Sequence, residues 1–160
     1  MTRVYIVYPG LGKTTLTLRD ARFVDLEARV FKDAELKSYI GKTEYPNVRG
    51  IPVKTFNPDY PENYFKFAKA ELDAGKIILL VPKQDTYDLI HALEIKEYRW
   101  ILPDQDRIEQ LRAAQTVRGD NADYIEHNLG KRYQEVLDLA NRSGKQILFL
   151  KPGQYLGDIF

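Results

Sequence analysis

Short runs of consecutive apolar residues alternate along the chain with segments in which apolar residues recur every three or four positions. The runs predict buried strands, because a strand that is covered on both faces is apolar at successive positions. We predict four such strands and a weaker fifth, at residues 4–8, 23–26, 77–81, 147–150 and 98–102. The helical spacing predicts helices between them, at 61–74, from a cap at Asp85 onward, at 104–116 and at 121–142.

Strands that alternate with helices in this way favour right-handed crossovers, and therefore an α/β fold. We expect a three-layer sandwich, in which helices cover both faces of a central parallel sheet of about five strands. Residues 31–57 lack any period and are rich in Gly and Pro, so they are interpreted as a small insertion with one helix near 33–40. The apolar tail at 153–160 is predicted to dock on the sheet.

The length and composition are those of one globular domain. The chain has 160 residues, of which 44% are hydrophobic and 29% are charged. We therefore interpret residues 1–160 as a single domain with one sheet.

Charge and residue usage exclude several classes of function. A net charge of +1 gives no general attraction to nucleic acid or to acidic membranes, and neither is expected as a partner. The absence of cysteine excludes disulfides, iron–sulfur clusters and thiolate zinc sites, and two histidines leave little for a histidine metal site. No apolar run approaches the roughly 20 residues of a membrane helix, and the first residues do not resemble a signal peptide. We expect a cytoplasmic protein.

The strongest chemical signal is a glycine-rich turn that follows the first predicted strand and ends in Gly-Lys-Thr-Thr. Backbone N–H groups in such a turn cradle phosphates, the lysine reaches the β- and γ-phosphates, and the following hydroxyl binds Mg²⁺. Lys13 is the predicted phosphate-binding cation and Thr14 the predicted metal ligand. The residues that we expect to contact the nucleotide are Gly10, Leu11, Gly12, Lys13, Thr14 and Thr15. The pattern departs from the usual phosphate loop in one place, because Val7 stands where a further glycine is common.

Two other groups of charged residues fit the same chemistry. Asp25 and Glu27 end the second predicted strand, at the sheet edge where ligands of open α/β sheets bind. One of these carboxylates can hold Mg²⁺ through water, or accept from a sugar hydroxyl or a base amine. Arg107, Arg112 and Arg118 lie between two predicted helices, and a mobile segment that carries arginine can stabilise a migrating phosphoryl group. We interpret residues 107–121 as a lid.

Taken together, these pieces resemble the nucleoside-monophosphate-kinase branch of P-loop proteins, which has the adenylate- and thymidylate-kinase-like fold. More narrowly, the chain is similar to the small nucleotide-kinase-like proteins of bacteriophages and prophages. The resemblance covers most of the chain, although only the loop motif is individually specific. Its matching segments are 8–14, 24–27, 57–64, 118–121 with the following Tyr124 and Ile125, and 151–158.

The resemblance implies transfer of the γ-phosphoryl group of ATP to a (deoxy)nucleoside monophosphate, with Mg²⁺ as cofactor. It implies that Lys13, Arg112 and Arg118 stabilise the migrating group, and that Asp25 joins Thr14 at the metal. The residues that it implies for the acceptor are Asp25, Glu27, Arg29, Lys83 and Gln84.

Two alternatives stay open from the residues alone. A nucleotide-binding module that acts through a partner is favoured by Val7 and by Ala114, which stands where such lids often carry another arginine. A P-loop hydrolase is less favoured, because no apolar strand ends in an Asp-Glu pair that would position water. The sequence does not distinguish a monomer from a homodimer.

Overall fold

A five-stranded, all-parallel sheet forms the centre of the protein. The computed structural model describes residues 1–48 and 50–160, with Arg118 described by its backbone alone. The strands are β1 (Val4–Val7), β2 (Phe23–Asp25), β3 (Ile77–Leu80), β4 (Arg99–Pro103) and β5 (Ile147–Leu150). Their order across the sheet is β2-β3-β1-β4-β5, so the first strand of the chain is the central one.

The predicted strands are confirmed, each to within one residue at either end. The reason is visible at β1 and β3, where every residue is buried. Ile77 and Leu79 point to one hydrophobic cluster, whereas Ile78 and Leu80 point to the other. Because successive side chains of a strand point to opposite faces, the continuous apolar run shows that both faces of the sheet are covered.

Seven α-helices are present in the described chain. They are α1 (Lys13–Arg19), α2 (Arg29–Lys32), α3 (Glu62–Asp73), α4 (Gln84–Ala92), α5 (Gln105–Arg118), α6 (Ala122–Glu126) and α7 (Arg132–Arg142). Among the described residues, no helix has both the length and the apolar character needed to cross a membrane.

Three details of the helix prediction are wrong. Asp85 does not cap α4, because Lys83 precedes the helix and the Asp85 side chain instead binds Lys32 and Tyr60. The 104–116 helix is longer than predicted: Asp104 does cap α5 through the N–H of Arg107, but the helix continues to Arg118.

The third error is the single helix at 121–142, which is α6, a π-helical segment at His127–Lys131, and α7. Its buried residues Ile125, Leu129 and Tyr133 are spaced by four. Repeated steps of four drift away from one face of a helix with 3.6 residues per turn. The wider turn of the π-segment keeps all three side chains against the core.

Residues 31–48 and 50–57 form an irregular layer beside α3. The predicted helix near 33–40 is a 3-10 helix at Ala34–Tyr39, capped by the Asp33 side chain, which accepts from the Glu35 N–H. The layer is closed by backbone bonds from Ala34 N to Thr55 O (3.0 Å) and from Asn57 N to Lys32 O (2.7 Å). Arg49, inside this layer, lies outside the described residues.

The C-terminal tail docks on the sheet, as predicted, and it also contacts α1. A 3-10 turn at Leu156–Asp158 buries Leu156 completely, with 0% of the residue exposed. The Phe160 ring lies edge-on to Tyr5 of β1 and to Phe23 of β2. The tail therefore covers the face of the sheet that carries the loop after β1.

Candidate functional site

The loop between β1 and α1 has the backbone geometry that its glycines predict. Gly10 has φ +89° and Gly12 has φ +93°, and both angles lie in the left-handed region that favours glycine. The first helical bond of α1 runs from Leu16 N to Gly12 O (3.0 Å). Lys13 is half-buried, and Thr14 and Thr15 are exposed. The Gly-Lys-Thr-Thr stretch therefore lies at the carboxyl end of the central strand, with its polar side chains accessible.

The tail supports this loop from behind. Leu11 is fully buried, and its carbonyl accepts from Leu156 N at 3.1 Å. A Cβ atom on Gly12 would lie 3.4 Å from the Tyr155 ring, so a larger residue would press on the tail. The loop is thus fixed by contacts on one side and open on the other.

Val7, the departure from the usual motif, belongs to β1 and not to the loop. It is fully buried and pairs with Ile101 of β4. A strand position has no need of glycine, so Val7 leaves the loop geometry intact. The next residue, Tyr8, is also buried, and burial raises the pKa of its phenol to about 12, against an opposing effect of Arg132.

Asp25 ends β2 and is half-buried. Burial raises the pKa of the Asp25 carboxyl, with Lys13 acting to lower it and Glu27 to raise it further. Asp25 is therefore within electrostatic range of both Glu27 and Lys13. A carboxylate with a raised pKa is destabilised in its charged form, and a cation placed beside it would offset that cost.

An ionic network follows β2 and β3 along the same edge. The Glu27 carboxylate pairs with Lys83, and it also accepts from Arg29 N at 3.3 Å. Next to this pair, Asp85 accepts from Lys32 Nζ at 2.7 Å and from the Tyr60 hydroxyl. Together, the lysines and the hydrogen bond from Tyr60 outweigh the effect of burial, so the pKa of Asp85 is below its ordinary value.

Two predicted acceptor residues make local contacts instead of extending into this network. Arg29 binds the Asp33 carboxylate at 3.1 Å and the Ile51 carbonyl at 2.6 Å, which ties α2 to the irregular layer. Gln84 is exposed and donates to Asp88 one helical turn further on (2.8 Å). The structure thus brings Glu27 and Lys83 together, but it does not bring Gln84 to them.

The predicted lid at 107–121 covers most of α5, Gly119 and the residues that lead into α6. Arg112 pairs with Glu126 of α6, and its Nε lies 3.6 Å from Glu109. Gly119 ends α5 with φ +89°, within the predicted lid. Arg118 is the last residue of α5, and its predicted catalytic side chain lies outside the described residues.

Arg107 is buried, unlike the surface position that is usual for an arginine in a helix. It is only 2% exposed, and its Cζ lies 4.7 Å from the centroid of the Tyr155 ring. One nitrogen, Nη1, donates to Gln110, whereas Nε and Nη2 have no hydrogen-bond partner among the described residues. Leaving a buried charged donor unpaired is costly, so the position favours an anionic or carbonyl ligand.

Arg132 was missed by sequence reasoning. It begins α7, where its Nη2 donates to the Pro82 carbonyl at 3.2 Å, and its charge lowers the pKa of Tyr8. It therefore bridges the loop after β1 and the loop after β3. The one signal in the sequence is its position one turn after Leu129, which is buried. That signal is weak, because the π-segment changes which residues of this helix face the sheet edge.

The strand order places a topological switch point between β1 and β4. The chain leaves β1 toward β2 on one side, and it leaves β4 toward β5 on the other. Ligands of open α/β sheets bind outside the carboxyl ends of the strands at such a switch point. The loop after β1 lies against α5 here, since a Cβ on Gly10 would lie 3.8 Å from Leu111.

The donors near Lys13 suit one kind of metal. Among the described residues, no group of three or more His, Cys, Asp or Glu side chains is arranged to hold an ion. Thr14 offers a hydroxyl and Asp25 a carboxylate, both hard oxygen donors. Mg²⁺ in phosphate sites takes one or two such groups and completes its shell with water and phosphate oxygens.

No protein-family model matches the chain, and no curated protein matches its sequence.

Proposed function

We propose that this protein has the P-loop kinase fold and transfers the γ-phosphoryl group of ATP to a (deoxy)nucleoside monophosphate. The observation that carries the proposal is the loop after the central strand, whose two left-handed glycines lead into Lys13, within electrostatic range of the half-buried Asp25. Backbone donors, a lysine and a carboxylate at one sheet edge are the parts that phosphoryl transfer requires.

In this proposal ATP binds with its phosphates in the loop from Gly10 to Thr15. The open side of the loop presents the polar side chains, while Leu11 and the tail hold the other side. Lys13 binds the β- and γ-phosphates as a point charge. Thr14 and Asp25 hold Mg²⁺, directly or through water, and the bound ion neutralises charge on the phosphates.

The acceptor is placed against the segment from Asp25 to Arg29 and against Lys83. Its phosphate is attracted by Lys83, and Glu27 can accept from a sugar hydroxyl or a base amine when that lysine turns to the ligand. Gln84 is not included, because its exposed side chain donates to Asp88, one turn further along α4. Charge that develops on the migrating group is stabilised by Lys13 and by the arginines of this edge. Buried Arg107, with two unpaired nitrogens, and Arg132 join the predicted Arg118 there.

The test is a coupled assay of ADP release from MgATP, run across a panel of ribo- and deoxynucleoside monophosphates. We expect release that depends on one acceptor or a few. Gly12→Ala serves as the site variant and Gly144→Ala as its control, because both glycines have positive φ, +93° and +72°, and only Gly12 lies in the loop. Each change costs about 1 kcal/mol of backbone strain, so the two should lose similar stability. Only Gly12→Ala should lose turnover. Acceptor-independent release, or equal turnover in both variants, would contradict the proposal.

A nucleotide-binding module is the second candidate, and the Arg112–Glu126 pair favours it. An arginine held by a carboxylate is less available to a phosphate than a free one. Calorimetric binding of MgATP by the wild-type chain, with no acceptor-dependent turnover anywhere in the panel, would support this candidate over the kinase.

A further inference from the structure

A groove opens between the C-terminal ends of α4 and α7, at the opposite edge of the sheet from the loop after β1. We name it the α4–α7 groove, and its volume is about 980 Å³. That volume is at the upper end of the range, roughly 300–1,000 Å³, that small-molecule sites occupy. Its apolar lining consists of Tyr87, Ile90, Ile95, Tyr98, Trp100 and Leu139.

The floor of the groove is aromatic. Trp100 lies between Tyr87 and Tyr98, with ring centroids 6.3 Å from each. Its indole Nε1 donates to the Ser143 hydroxyl at 3.0 Å, so the polar edge of the ring is satisfied within the protein. Trp100 itself is only 1% exposed, so the half-buried Tyr87, Tyr98 and Leu139 supply the surface toward the groove. This surface is apolar and largely aromatic, which suits a ring system better than a flexible polar chain.

The rim is mainly cationic. Lys96 and Arg142 line it together with His91, against the single carboxylate of Glu94. None of the ion pairs within the described part of the chain involves Lys96 or Arg142. Lys145 adds a further positive charge nearby, since its Nζ lies 5.3 Å from the centroid of the Tyr98 ring. An apolar floor below unpaired cations is complementary to an apolar body that carries an acidic group.

We propose that the α4–α7 groove binds a small aromatic ligand with an acidic group, such as a carboxylate or sulfonate. The ring contacts Tyr87, Tyr98 and Leu139, with Trp100 buried beneath them, and the acid pairs with Arg142 and Lys96. The site does not depend on the proposed kinase function, because it shares no residue with the edge that carries Lys13.

The probe for this test is 8-anilinonaphthalene-1-sulfonate, which has both required features. Trp100 is the only tryptophan of the chain, so energy transfer from its emission to the bound probe reports occupancy of this groove. We expect saturable binding of one probe per folded chain, with Trp100 emission falling as probe emission rises. Binding that appears only when the far-ultraviolet dichroism signal is lost would overturn the proposal, since partly unfolded chains also bind this dye.

Arg142→Glu is the groove variant. The control is Lys66→Glu, at an exposed position of α3, which makes the same change of net charge. We expect Arg142→Glu to weaken the probe at least about fivefold, and Lys66→Glu to change its affinity less than twofold. Equal weakening in both variants would show a general charge effect and overturn the proposal. Loss of probe binding in the Lys13→Ala variant would show that the dye binds in the phosphate loop. That result would also overturn the proposal. Sedimentation of the wild type as a dimer that Arg142→Glu dissociates would assign the groove to a second copy instead.

Discussion

At the scale of single residues, Asp25 shows the conflict between stability and the proposed chemistry. Its folded-state pKa is raised, so the folded protein favours the protonated carboxyl more than the unfolded chain does. The stability contributed by this group is full below the ordinary aspartate pKa and is lost as pH rises through the raised value. At neutral pH the charged carboxylate therefore destabilises the fold.

We expect Asp25→Asn to unfold at a higher temperature than the wild type at neutral pH. The difference should shrink as pH falls below the ordinary aspartate range, because the wild-type carboxyl is then protonated. Thermal unfolding across this pH range measures the effect, and Asp59→Asn, at an exposed site, is the control that should show little change. The same variant should require more Mg²⁺ for nucleotide binding. A gain in stability that persists unchanged in acid would contradict the assigned pKa direction.

Arg107 presents the same conflict with the opposite charge. We expect Arg107→Met to keep or raise the unfolding temperature, because a buried guanidinium with unpaired nitrogens is replaced by an apolar chain of similar length. Phosphate or nucleotide affinity should fall about tenfold, the scale of one lost charge-assisted hydrogen bond. Calorimetric titration measures it, with Arg19→Met at the exposed end of α1 as control. A clear loss of stability without a loss of affinity would make Arg107 a structural residue held by Gln110 and Tyr155.

At the scale of elements, the lid is held by a contact between α5 and α6. Arg112 on α5 pairs with Glu126 on α6, across the left-handed Gly119. If Arg112 acts on phosphate, this pair competes with the ligand. The predicted lid would then have two states that differ in the partner of Arg112, the Glu126 carboxylate or the phosphate.

Glu126→Gln tests this competition. We expect it to raise turnover or nucleotide affinity by a few-fold, because releasing a mostly exposed ion pair changes little else, about 0–1 kcal/mol. Glu109→Gln is the matched control: Glu109 also lies near Arg112, at 3.6 Å, but on the same helix, so it does not link the two elements. Unchanged or lower activity in Glu126→Gln would assign Arg112 to holding α5 and α6 together.

The elements also show what the sequence can and cannot predict. Most strands were predictable because they are apolar runs, with β4, which begins at Arg99, the weakest of them. The loop was predictable because the glycines, Lys13 and Thr14 lie within one short segment of the sequence. The π-segment at His127–Lys131 was not, since it results from keeping Leu129 and Tyr133 against the same core. For the same reason the position of Arg132 was not predictable from the sequence. The burial of Arg107 was not predictable either, because it depends on Tyr155, which lies far along the chain.

At the scale of the whole molecule, the C-terminal tail contacts the loop of the candidate site. We expect Leu156→Ala to lower the free energy of unfolding by about 2–4 kcal/mol, the range for a fully buried leucine. Urea denaturation measures this, and Ile159→Ala, at a residue 38% exposed, should cost less than about 1 kcal/mol. The Leu156 side chain anchors the turn whose backbone N–H binds the carbonyl of Leu11. Because the smaller side chain loosens this anchor, nucleotide affinity should fall in the first variant and stay in the second. Equal effects of the two changes would show that the tail does not support the loop.

The central position of the first strand has a consequence for how the protein refolds. Every strand pair of the described chain is parallel. The two partners of β1 lie far along the chain, since β3 begins at Ile77 and β4 at Arg99. No local hairpin can start such a sheet. The chain therefore loses the entropy of closing long loops before strand pairing stabilises it. The bond between Leu11 and Leu156 spans still more of the chain. In a stopped-flow refolding experiment, helical dichroism should therefore recover first, and the capacity to bind nucleotide should return in a later, slower phase.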